Sequence, residues 1–399
     1  MKDGNLCYLS EKIIKDGNLN CRGDKIIKLG NMNCPGKKIL KAIRLINKSL
    51  ILVSFVLISC YGCHPGNKSK KRDELKDQIE FLVSNYHDEG KFDGTILVAD
   101  SSDIIFKGAL GLSNHEKESP LSIESQFYLA SVSKQFTASA ILLLIQNGSI
   151  TPDDLIHPYL PELPDIYHRI TFRDLLNHTS GIPDYYNFAQ LFSGFTNSDV
   201  FKELTKVDNL EFEPGTQYKY SNSGYVLLSI LIDRISGSSF ANYLKENAFQ
   251  EAELTKTIVY DQFAEEPERR VTGYGKDGTL TDYQFRTTGG GGIFSNVEDL
   301  YKWHKSLSSN SLIKEDFMKM AYQPAILKND STVYYGFGWF IDPDDPNHVH
   351  HDGTLEGFRT LFDRQLDNWN VIIILSNNSS EYLDEIAEKI RELLKSRHK

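Results

Sequence analysis

The stretch Phe127-Tyr128-Leu129-Ala130-Ser131-Val132-Ser133-Lys134 stands between two different sequence patterns. Two strand-like runs, 94–99 and 103–111, precede it and are joined by an Asp-Ser-Ser-Asp turn. An apolar helix is predicted from about Ser131 to Gln146, because Asn147-Gly148 follows and ends it. The stretch therefore predicts a serine and a lysine in the first turn of a helix that comes after a strand-rich region.

Further out, a helical middle lies between two strand-rich ends. A helix is predicted over 72–88, and the pattern between about 150 and 290 is helical and rich in loops. Strand-like runs return at 334–341, 348–352, 359–364 and 371–375, and a charged helix over 382–395 closes the chain. We therefore predict an α/β (α+β) fold: one antiparallel sheet, flanked by helices and built from both chain ends, with an inserted, mainly helical lobe. The regular βαβ alternation of a doubly wound sheet is missing.

Charge and cysteine content separate the N-terminal region from the body. The formal net charge is −10, yet residues 1–59 hold 11 basic and only 4 acidic side chains, so the body is strongly acidic. Nucleic-acid binders need clustered lysine and arginine, which excludes a nucleic-acid partner. The five cysteines all lie in the first 63 residues: Cys7, Cys21, Cys34, Cys60 and Cys63. Covalent catalysis in the body must therefore use a nucleophile other than a thiol.

Residues 1–59 are predicted to be a signal region. A basic stretch, 37–44, precedes an uncharged apolar run, 49–59, that is shorter than the about 20 residues a membrane-spanning helix needs. Leu57-Ile58-Ser59-Cys60 is similar to the lipobox of bacterial lipoproteins, in which the cysteine is lipidated. We expect export to the cell envelope, a lipid anchor at Cys60 and a polar tether over 60–71, followed by a single folded domain over 72–399. An ordinary signal peptide is the alternative.

The translation start is a separate question. Met32 opens a signal of ordinary length, and the residues before it form short polar repeats that cannot bury a core. We therefore expect translation to begin at Met32 and residues 1–31 not to be translated.

Ser131 and Lys134 form the first motif with chemical meaning. A spacing of three on a helix places both side chains on one face. A serine hydroxyl becomes a good nucleophile when a neighbouring base takes its proton, and a desolvated lysine can do so. At a helix start, backbone N–H groups also point towards a developing oxyanion. Alone, the motif is weak, because Ser311 and Lys314 share the spacing.

Two more motifs follow in the chain. Tyr220-Ser221-Asn222 offers a phenol that can relay a proton and an amide that can hold a carbonyl group. His351-Asp352-Gly353, followed by Thr354, is the third. Each has other matches in the chain: Tyr185-Tyr186-Asn187, His64-Pro65-Gly66 and Lys276-Asp277-Gly278.

In this order and spacing, the three motifs resemble those of the serine β-lactamase and penicillin-recognising family. The similar branch holds class C β-lactamases, D-alanyl-D-alanine carboxypeptidases and related esterases. The resemblance covers about residues 75–395 and includes the stretches 175–182, 212–215, 289–292 and 335–339. It implies the β-lactamase/transpeptidase-like fold.

The resemblance also implies roles for individual residues. Ser131 would attack the scissile carbonyl group, while Lys134 and Tyr220 would share the base and acid duties. Asn222 would hold the substrate amide. Substrate would also bind at His351, Gly353 and Thr354, with the backbone N–H groups of Ser131 and Thr354 as the oxyanion hole. Which residue is the base stays open.

The third motif departs from the β-lactamases of this branch, which usually carry lysine where this chain has His351. A mostly neutral imidazole attracts a substrate carboxylate less strongly than an ammonium group does. Some carboxypeptidases of the branch also use histidine, so the departure favours peptidase activity over efficient β-lactam hydrolysis. Strand alternation predicts that Asp352 points away from the face that carries His351 and Gly353. Arg359 is either a carboxylate anchor or an ordinary surface arginine.

Neither a metal nor a cofactor is expected. On a strand, His348 and His350 share one face and His351 takes the other, and no His-Glu-x-x-His pattern accompanies them. The four glycines 289–292 lack a following Gly-Lys-Ser or Gly-Lys-Thr, so we expect close backbone packing there and not a phosphate site. His178 is expected to be structural.

The leading hypothesis is an exported, lipid-anchored serine hydrolase that forms an acyl-enzyme on Ser131. Its expected substrates are small-molecule or peptide acyl compounds, as for a D-amino-acid peptidase, a carboxypeptidase or an esterase. The alternatives are a β-lactamase proper and a non-hydrolytic protein that binds or senses penicillin or a cell-wall peptide. The sequence leaves the oligomeric state open.

Overall fold

The computed structural model describes residues 65–355 and 357–396 of the 399-residue chain. The predicted signal region, the lipidation site Cys60 and the expected start at Met32 lie outside the described residues. Within these residues, none of the helices is both long and apolar enough to cross a membrane.

A six-stranded antiparallel sheet forms the centre of the fold. Its strands, labelled in chain order among the thirteen described, are β1 Gly94–Ala99, β2 Ile104–Leu110, β10 Phe340–Ile341, β11 His348–Leu355, β12 Phe358–Gln365 and β13 Val371–Ser376. The strand order is β10-β11-β12-β13-β1-β2. β1 pairs with β13, with Ile96 opposite Ile374, so both ends of the chain build one sheet, as predicted.

The remaining strands are short and form small separate sheets. They are β3 Leu112–Asn114 with β4 Ser119–Pro120; β5 Phe127–Tyr128, β6 Ile258–Val259 and β7 Ile293–Ser295 in the order β5-β7-β6; and β8 Ala325–Ile326 with β9 Thr332–Val333.

Nine α-helices lie within residues 65–355 and 357–396. They are α1 Pro65–Asp88, α2 Lys134–Gln146, α3 Phe172–Leu176, α4 Asn197–Leu204, α5 Asn222–Ser236, α6 Phe240–Leu244, α7 Val297–Ser309, α8 Glu315–Ala321 and α9 Leu383–Ser396. Single 3-10 turns occur at Ala130–Ser133, His157–Tyr159, Asp165–Tyr167 and Tyr185–Asn187, and a π-helical turn, Lys245–Phe249, follows α6. Between residues 150 and 290, all described, helices α3–α6 accompany only one short strand, β6, which confirms a mainly helical insertion.

Alternation along the strands gives the sheet two apolar faces. Ile96 and Val98 of β1 pack in one hydrophobic cluster with α1 and α9. Leu97, between them, points to the other face and joins the larger cluster that contains Phe136 of α2 and Trp303 of α7. Fully burying one such side chain stabilises the fold by about 1.5–3 kcal/mol. The two terminal helices thus cover one face, while the helices of the middle cover the face that carries the site.

Three predicted boundaries were wrong. α1 begins at Pro65, inside the predicted tether, because proline is tolerated in the first turn of a helix and the lysines at 68, 70 and 71 favour a helix more than the glycine, asparagine and serine among them disfavour it. α2 begins at Lys134, because Ala130 has a φ of 47° and a 3-10 turn intervenes. The strand predicted over 334–341 is reduced to β10, since Gly338, with a φ of 78°, interrupts the extended backbone.

Candidate active site

Ser131 lies in the 3-10 turn that leads from β5 into α2. The preceding residue, Ala130, has the left-handed φ of 47°, a conformation that costs a non-glycine residue about 1–2 kcal/mol. Neighbouring elements hold the turn in place: the N–H of Leu129 donates to the carbonyl oxygen of Ile293 (2.9 Å), and the hydroxyl of Thr360 donates to the carbonyl oxygen of Leu129 (2.7 Å). The serine is therefore presented by a strained turn that β7 and β12 fix from two sides.

The ammonium group of Lys134 is fully buried and makes three hydrogen bonds. Nζ donates to Oγ of Ser131 (3.1 Å), to Oδ1 of Asn222 (2.7 Å) and to the carbonyl oxygen of Gly290 (2.7 Å). These partners match the three donors of a charged lysine. The predicted Ser131–Lys134 pair is thus in direct contact.

Burial lowers the pKa of Lys134 from its ordinary value to about 7, although the negative charges of Asp184 and Asp352 oppose the shift. Removing an ammonium group from water disfavours its charged form, and two carboxylates at a distance compensate only in part. A substantial fraction of Lys134 is therefore neutral at neutral pH and able to accept a proton.

Tyr220 completes the cluster around the serine. Its ring centroid lies 4.7 Å from Nζ of Lys134. Burial raises the pKa of the Tyr220 phenol well above its ordinary value, while a hydrogen bond with the Ser131 side chain acts in the opposite direction. The phenol therefore keeps its proton at neutral pH and can donate it.

Asn222 is the first residue of α5 and is bound at both ends of its side-chain amide. Oδ1 accepts from Lys134, while Nδ2 and the backbone N–H donate to Oδ2 of Asp184 at 2.8 and 3.0 Å. An amide nitrogen carries two hydrogens, so one N–H of Nδ2 remains for a substrate. The sequence reasoning did not identify Asp184, which follows the stretch 175–182 by two residues.

His351 is buried and neutral. Its Nδ1 lies 2.6 Å from the carbonyl oxygen of Asp352 and its Nε2 lies 3.0 Å from the hydroxyl of Tyr335. Because the carbonyl group only accepts, Nδ1 carries the hydrogen and Nε2 accepts from Tyr335. Burial, with the nearby charge of Lys134, lowers the pKa of His351 to about 3. The side chain of Asp352 is exposed, which confirms that it points away from the face of His351 and Gly353.

Gly353 allows β11 to lie directly against the turn that carries the serine. A Cβ atom at this position would collide with the carbonyl oxygen of Leu129 and the hydroxyl of Thr360, and it would lie 3.1 Å from Cβ of Ala130. The next residue, Thr354, lines the same cavity as Ser131, and its hydroxyl accepts a hydrogen bond from Arg359.

A cavity of about 220 Å³ opens above Ser131. Asn222 and Gly290 form part of its lining, and the 3-10 turn Tyr185–Asn187 forms one wall. That turn carries the second copy of the Tyr-x-Asn pattern, which therefore lies in the site without taking the place of Tyr220 and Asn222. A larger cavity, of about 1230 Å³, lies beside α6, away from these residues.

Three further histidines, His178, His348 and His350, have structural contacts. Nδ1 of His178 accepts from the N–H of Ser221 (3.2 Å), and its ring centroid lies 4.2 Å from that of Tyr220. His348 binds Asp342 and Asp363, while His350 stacks on Phe340. In the described part of the chain, no group of histidine, cysteine or acidic side chains could hold a metal ion.

The fold and this constellation define a serine hydrolase. The chain belongs to the beta-lactamase family: the family model described as Beta-lactamase matches residues 80–395.

Individual relatives agree with this assignment. Penicillin-binding protein 4* of Bacillus subtilis (strain 168) is 32% identical over 358 residues, which cover 82% of this chain and 77% of that protein. A penicillin-binding protein from Bacillus halodurans superposes with a TM-score of 0.69 at 25% identity, over 78% of this chain and 98% of the other. The D-amino acid amidase from Ochrobactrum anthropi SV3 superposes with a TM-score of 0.71 at 20% identity, over 82% and 100%, which supports the fold alone.

Proposed function

We propose that Ser131 is the nucleophile of an acyl-transfer reaction in which Lys134 is the base. The observation that carries this proposal is the buried contact between Nζ of Lys134 and Oγ of Ser131, 3.1 Å apart, with the pKa of the amine lowered to about 7. A base with a pKa near the working pH combines availability with proton affinity. Lys134 therefore takes the hydroxyl proton as Oγ bonds to the substrate carbonyl carbon.

Tyr220 returns a proton in the second half of the reaction. The raised pKa keeps its phenol protonated at neutral pH, so the phenol has a hydrogen to pass on as it receives another, and its ring lies beside the lysine that holds the proton from Ser131. Passage of a proton through the phenol to the leaving amine or alcohol breaks the scissile bond and leaves an ester on Ser131. Water then attacks this ester, the acid is released and the serine regains its hydrogen.

The surrounding groups hold the substrate. In this proposal the free N–H of the Asn222 amide binds a carbonyl oxygen on the acyl side. The backbone N–H groups of Ser131 and Thr354 serve as the oxyanion hole in this proposal, since both residues line one cavity and Gly353 brings β11 against the serine turn. His351 is a buried, neutral side chain on β11, the strand whose Thr354 lines the cavity. This arrangement would stabilise the tetrahedral intermediate.

We propose amide or ester bonds of small acyl compounds, including D-amino-acid peptides, as the substrates. The cavity of about 220 Å³ accommodates a short acyl group. The relatives named as penicillin-binding proteins support this class of substrate. This chain has the neutral His351 and not a lysine at the start of the third motif. Binding therefore does not require a carboxylate that a positive charge holds tightly at this position.

A second candidate function is the stable binding of penicillin or a cell-wall peptide. The names of two relatives, both penicillin-binding proteins, favour it. In this case Ser131 would still be acylated, but water would release the acyl group slowly. A ratio of one product molecule per protein with nitrocefin would support it, whereas sustained turnover would identify a β-lactamase.

A covalent probe tests the proposed nucleophile. A fluorescent fluorophosphonate and a fluorescent penicillin should label the wild type and not Ser131→Ala. Ser133→Ala is the matched control, because Ser133 is buried in the same turn and should not be needed for labelling. Rates with p-nitrophenyl acetate, a D-alanyl-D-alanine peptide and a D-amino acid amide then rank the substrates. A wild type that neither probe labels and that turns over none of these would contradict the proposal.

We also propose that the protein acts at the cell envelope, anchored through a lipid on Cys60. The apolar run before Cys60 and the polar residues after it support this. Incorporation of radiolabelled palmitate should be lost in Cys60→Ser and retained in Cys63→Ser. Equal incorporation in both variants would contradict the anchor.

A further inference from the structure

We infer that Asp184 is a positioning residue: it fixes the orientation of the Asn222 amide and thereby directs the lone pair of the Lys134 amine at Ser131. The inference rests on the proposed function, because it concerns the same acylation step. Asp184 touches neither the serine nor the lysine through any hydrogen bond found among the described residues. It acts through Asn222.

The first step is the geometry of the Asp184 carboxylate. Oδ2 accepts from both the backbone N–H (3.0 Å) and the side-chain Nδ2 (2.8 Å) of Asn222, and Oδ1 accepts from the N–H of Tyr186 (3.1 Å). An ionised carboxylate only accepts hydrogen bonds. The nitrogen end of the Asn222 amide must therefore face Asp184, which leaves the oxygen end facing Lys134.

Only the neutral form of Lys134 can accept the proton of Ser131. A neutral amine has two N–H donors and one lone pair. The oxygens of Asn222 (2.7 Å) and Gly290 (2.7 Å) are the two closer partners of Nζ, and neither can donate to it. When these oxygens take the two N–H groups, the lone pair points at the third partner, the hydroxyl of Ser131. A reversed Asn222 amide would offer Lys134 a donor, and this selection would be lost.

One loop, residues 178–184, supports the motif Tyr220-Ser221-Asn222. The segment 178–184 binds Ser221 through Nδ1 of His178 at one end and Asn222 through Asp184 at the other. Gly181, with a φ of 73°, lets the loop pass so close to Phe212 that a Cβ atom would collide with its carbonyl oxygen. The loop thus fixes the tripeptide that carries both Tyr220 and Asn222.

Asp184 also affects the protonation of Lys134. Its negative charge is the larger of two that raise the pKa of the buried amine against the effect of burial. Other charged or titratable groups face Lys134 from the packed elements: Asp352, His178, His351, Tyr220 and Tyr225. The two histidines have lowered pKa values and the two tyrosines raised ones, so all four are neutral near pH 7.

The test compares acylation rates of the fluorophosphonate probe as a function of pH. Asp184→Asn should lower the rate at its plateau roughly tenfold to a hundredfold, the effect of losing a hydrogen bond to a charged group. The acidic midpoint of the profile should also move to lower pH, because the remaining groups raise the lysine pKa less. A merely structural role would lower stability without moving this midpoint.

Two further variants make the test specific. In the Asn222→Ala background, Asp184→Asn should cost much less than in the wild type, because its partner is already absent. Asp199→Asn is the matched control: Asp199 also binds the start of a helix segment, through Thr196, but it does not line the cavity. It should change stability and leave the midpoint in place.

An unchanged midpoint and rate in Asp184→Asn, or an equal cost in both backgrounds, would overturn the inference. If that variant does not fold, Asp184→Ser, which removes the charge and keeps an acceptor, replaces it. A wild type that the probe does not label would overturn the proposed function instead. The inference is then decided by NMR titration of ¹³C-labelled lysine, with the Lys134 signal identified by its loss in Lys134→Met: a Lys134 pKa unaffected by Asp184→Asn overturns it, and a lowered one supports it.

Discussion

The hydroxyl of Tyr335 donates a hydrogen bond of 3.0 Å to Nε2 of His351, and both side chains are buried. The bond fixes the neutral tautomer of the imidazole, whose Nδ1 donates to the backbone of the same strand. His351 therefore cannot attract a carboxylate by charge. The third motif of this chain therefore carries a neutral side chain with a fixed hydrogen-bond pattern.

Removal of the Tyr335 hydroxyl should destabilise the protein. Tyr335→Phe leaves Nε2 of His351 buried without its partner, which costs about 1–3 kcal/mol. Urea denaturation of the purified protein measures this change. Tyr334→Phe is the control, because Tyr334 is 45% exposed and should have little effect. Equal stability of Tyr335→Phe and the wild type would contradict the role of this bond.

The acylation rate should rise with pH through a midpoint near 7. Lys134 must be neutral to accept the serine proton, and burial lowers its pKa to about 7, so activity is lost as the pH falls below that value. The phenol of Tyr220, with its pKa raised well above the ordinary value, should cause no decline on the alkaline side up to about pH 9.

The rate of probe labelling across this pH range measures that profile. Lys134→Arg should abolish labelling, because a guanidinium group does not lose its proton in this range. A midpoint near 10, the ordinary range of lysine, would be inconsistent with Lys134 as the desolvated base.

Gly353→Ala should reduce labelling of Ser131 at least tenfold and destabilise the fold by about 1–3 kcal/mol, because the added methyl group forces β11 away from Leu129 and Ala130. Labelling rate and urea denaturation report the two effects. Gly224→Ala is the matched control: Gly224 lies inside α5, where an added Cβ meets only ordinary contacts from 3.6 Å outwards and alanine favours the helix. Similar losses in both variants would show that the close approach at Gly353 is not special.

The stability contributed by His348 should depend on pH. Burial alone lowers its pKa, but the carboxylates of Asp363 and Asp342 outweigh burial and the charge of Arg391, so the folded-state pKa is raised. The contribution is therefore fully present below the unfolded value of about 6.5 and is lost as the pH rises through the folded value.

His348→Gln should accordingly be less stable than the wild type at pH 5, and the difference should shrink by pH 9. Urea denaturation at both pH values measures it. His350→Gln is the control with the opposite sign: burial lowers the pKa of that neighbouring imidazole, so the stability of the wild type relative to His350→Gln should increase from pH 5 to pH 9. A difference that is constant with pH would contradict the paired state of His348.

The sequence predicted those parts of the site that depend on local spacing. Ser131 and Lys134 lie one turn apart, and Asp352 and Gly353 lie on opposite faces of a strand, so periodicity alone placed them. The approach of Tyr220 and His351 to the serine depends on tertiary packing and came only from the family resemblance. The roles of Tyr220, His351, Asn222 and Thr354 remain predictions.

Asp184 was missed for a physical reason. Its partner Asn222 is 38 positions away, and no local period connects a loop carboxylate with the start of a distant helix. The turn Tyr185–Asn187 is the opposite case, in which a local match is misleading. It repeats the Tyr-x-Asn pattern and lies in the same cavity, but its contacts differ from those of Tyr220 and Asn222. The strand predicted over 334–341 was wrong because local propensity did not account for Gly338, whose backbone is left-handed and packs against the carbonyl oxygen of Lys134.

The pairing of β1 with β13 has a consequence for synthesis of the protein. Ile96 of β1 pairs with Ile374 of β13. β1 therefore has a neighbouring strand on both sides only after β13, which ends at Ser376, has left the ribosome. Closing a loop of that length is slow compared with forming local helices. Until then one edge of β1 has no hydrogen-bonded neighbour, and an unpaired strand edge of this kind exposes a folding chain to aggregation and to capture by chaperones.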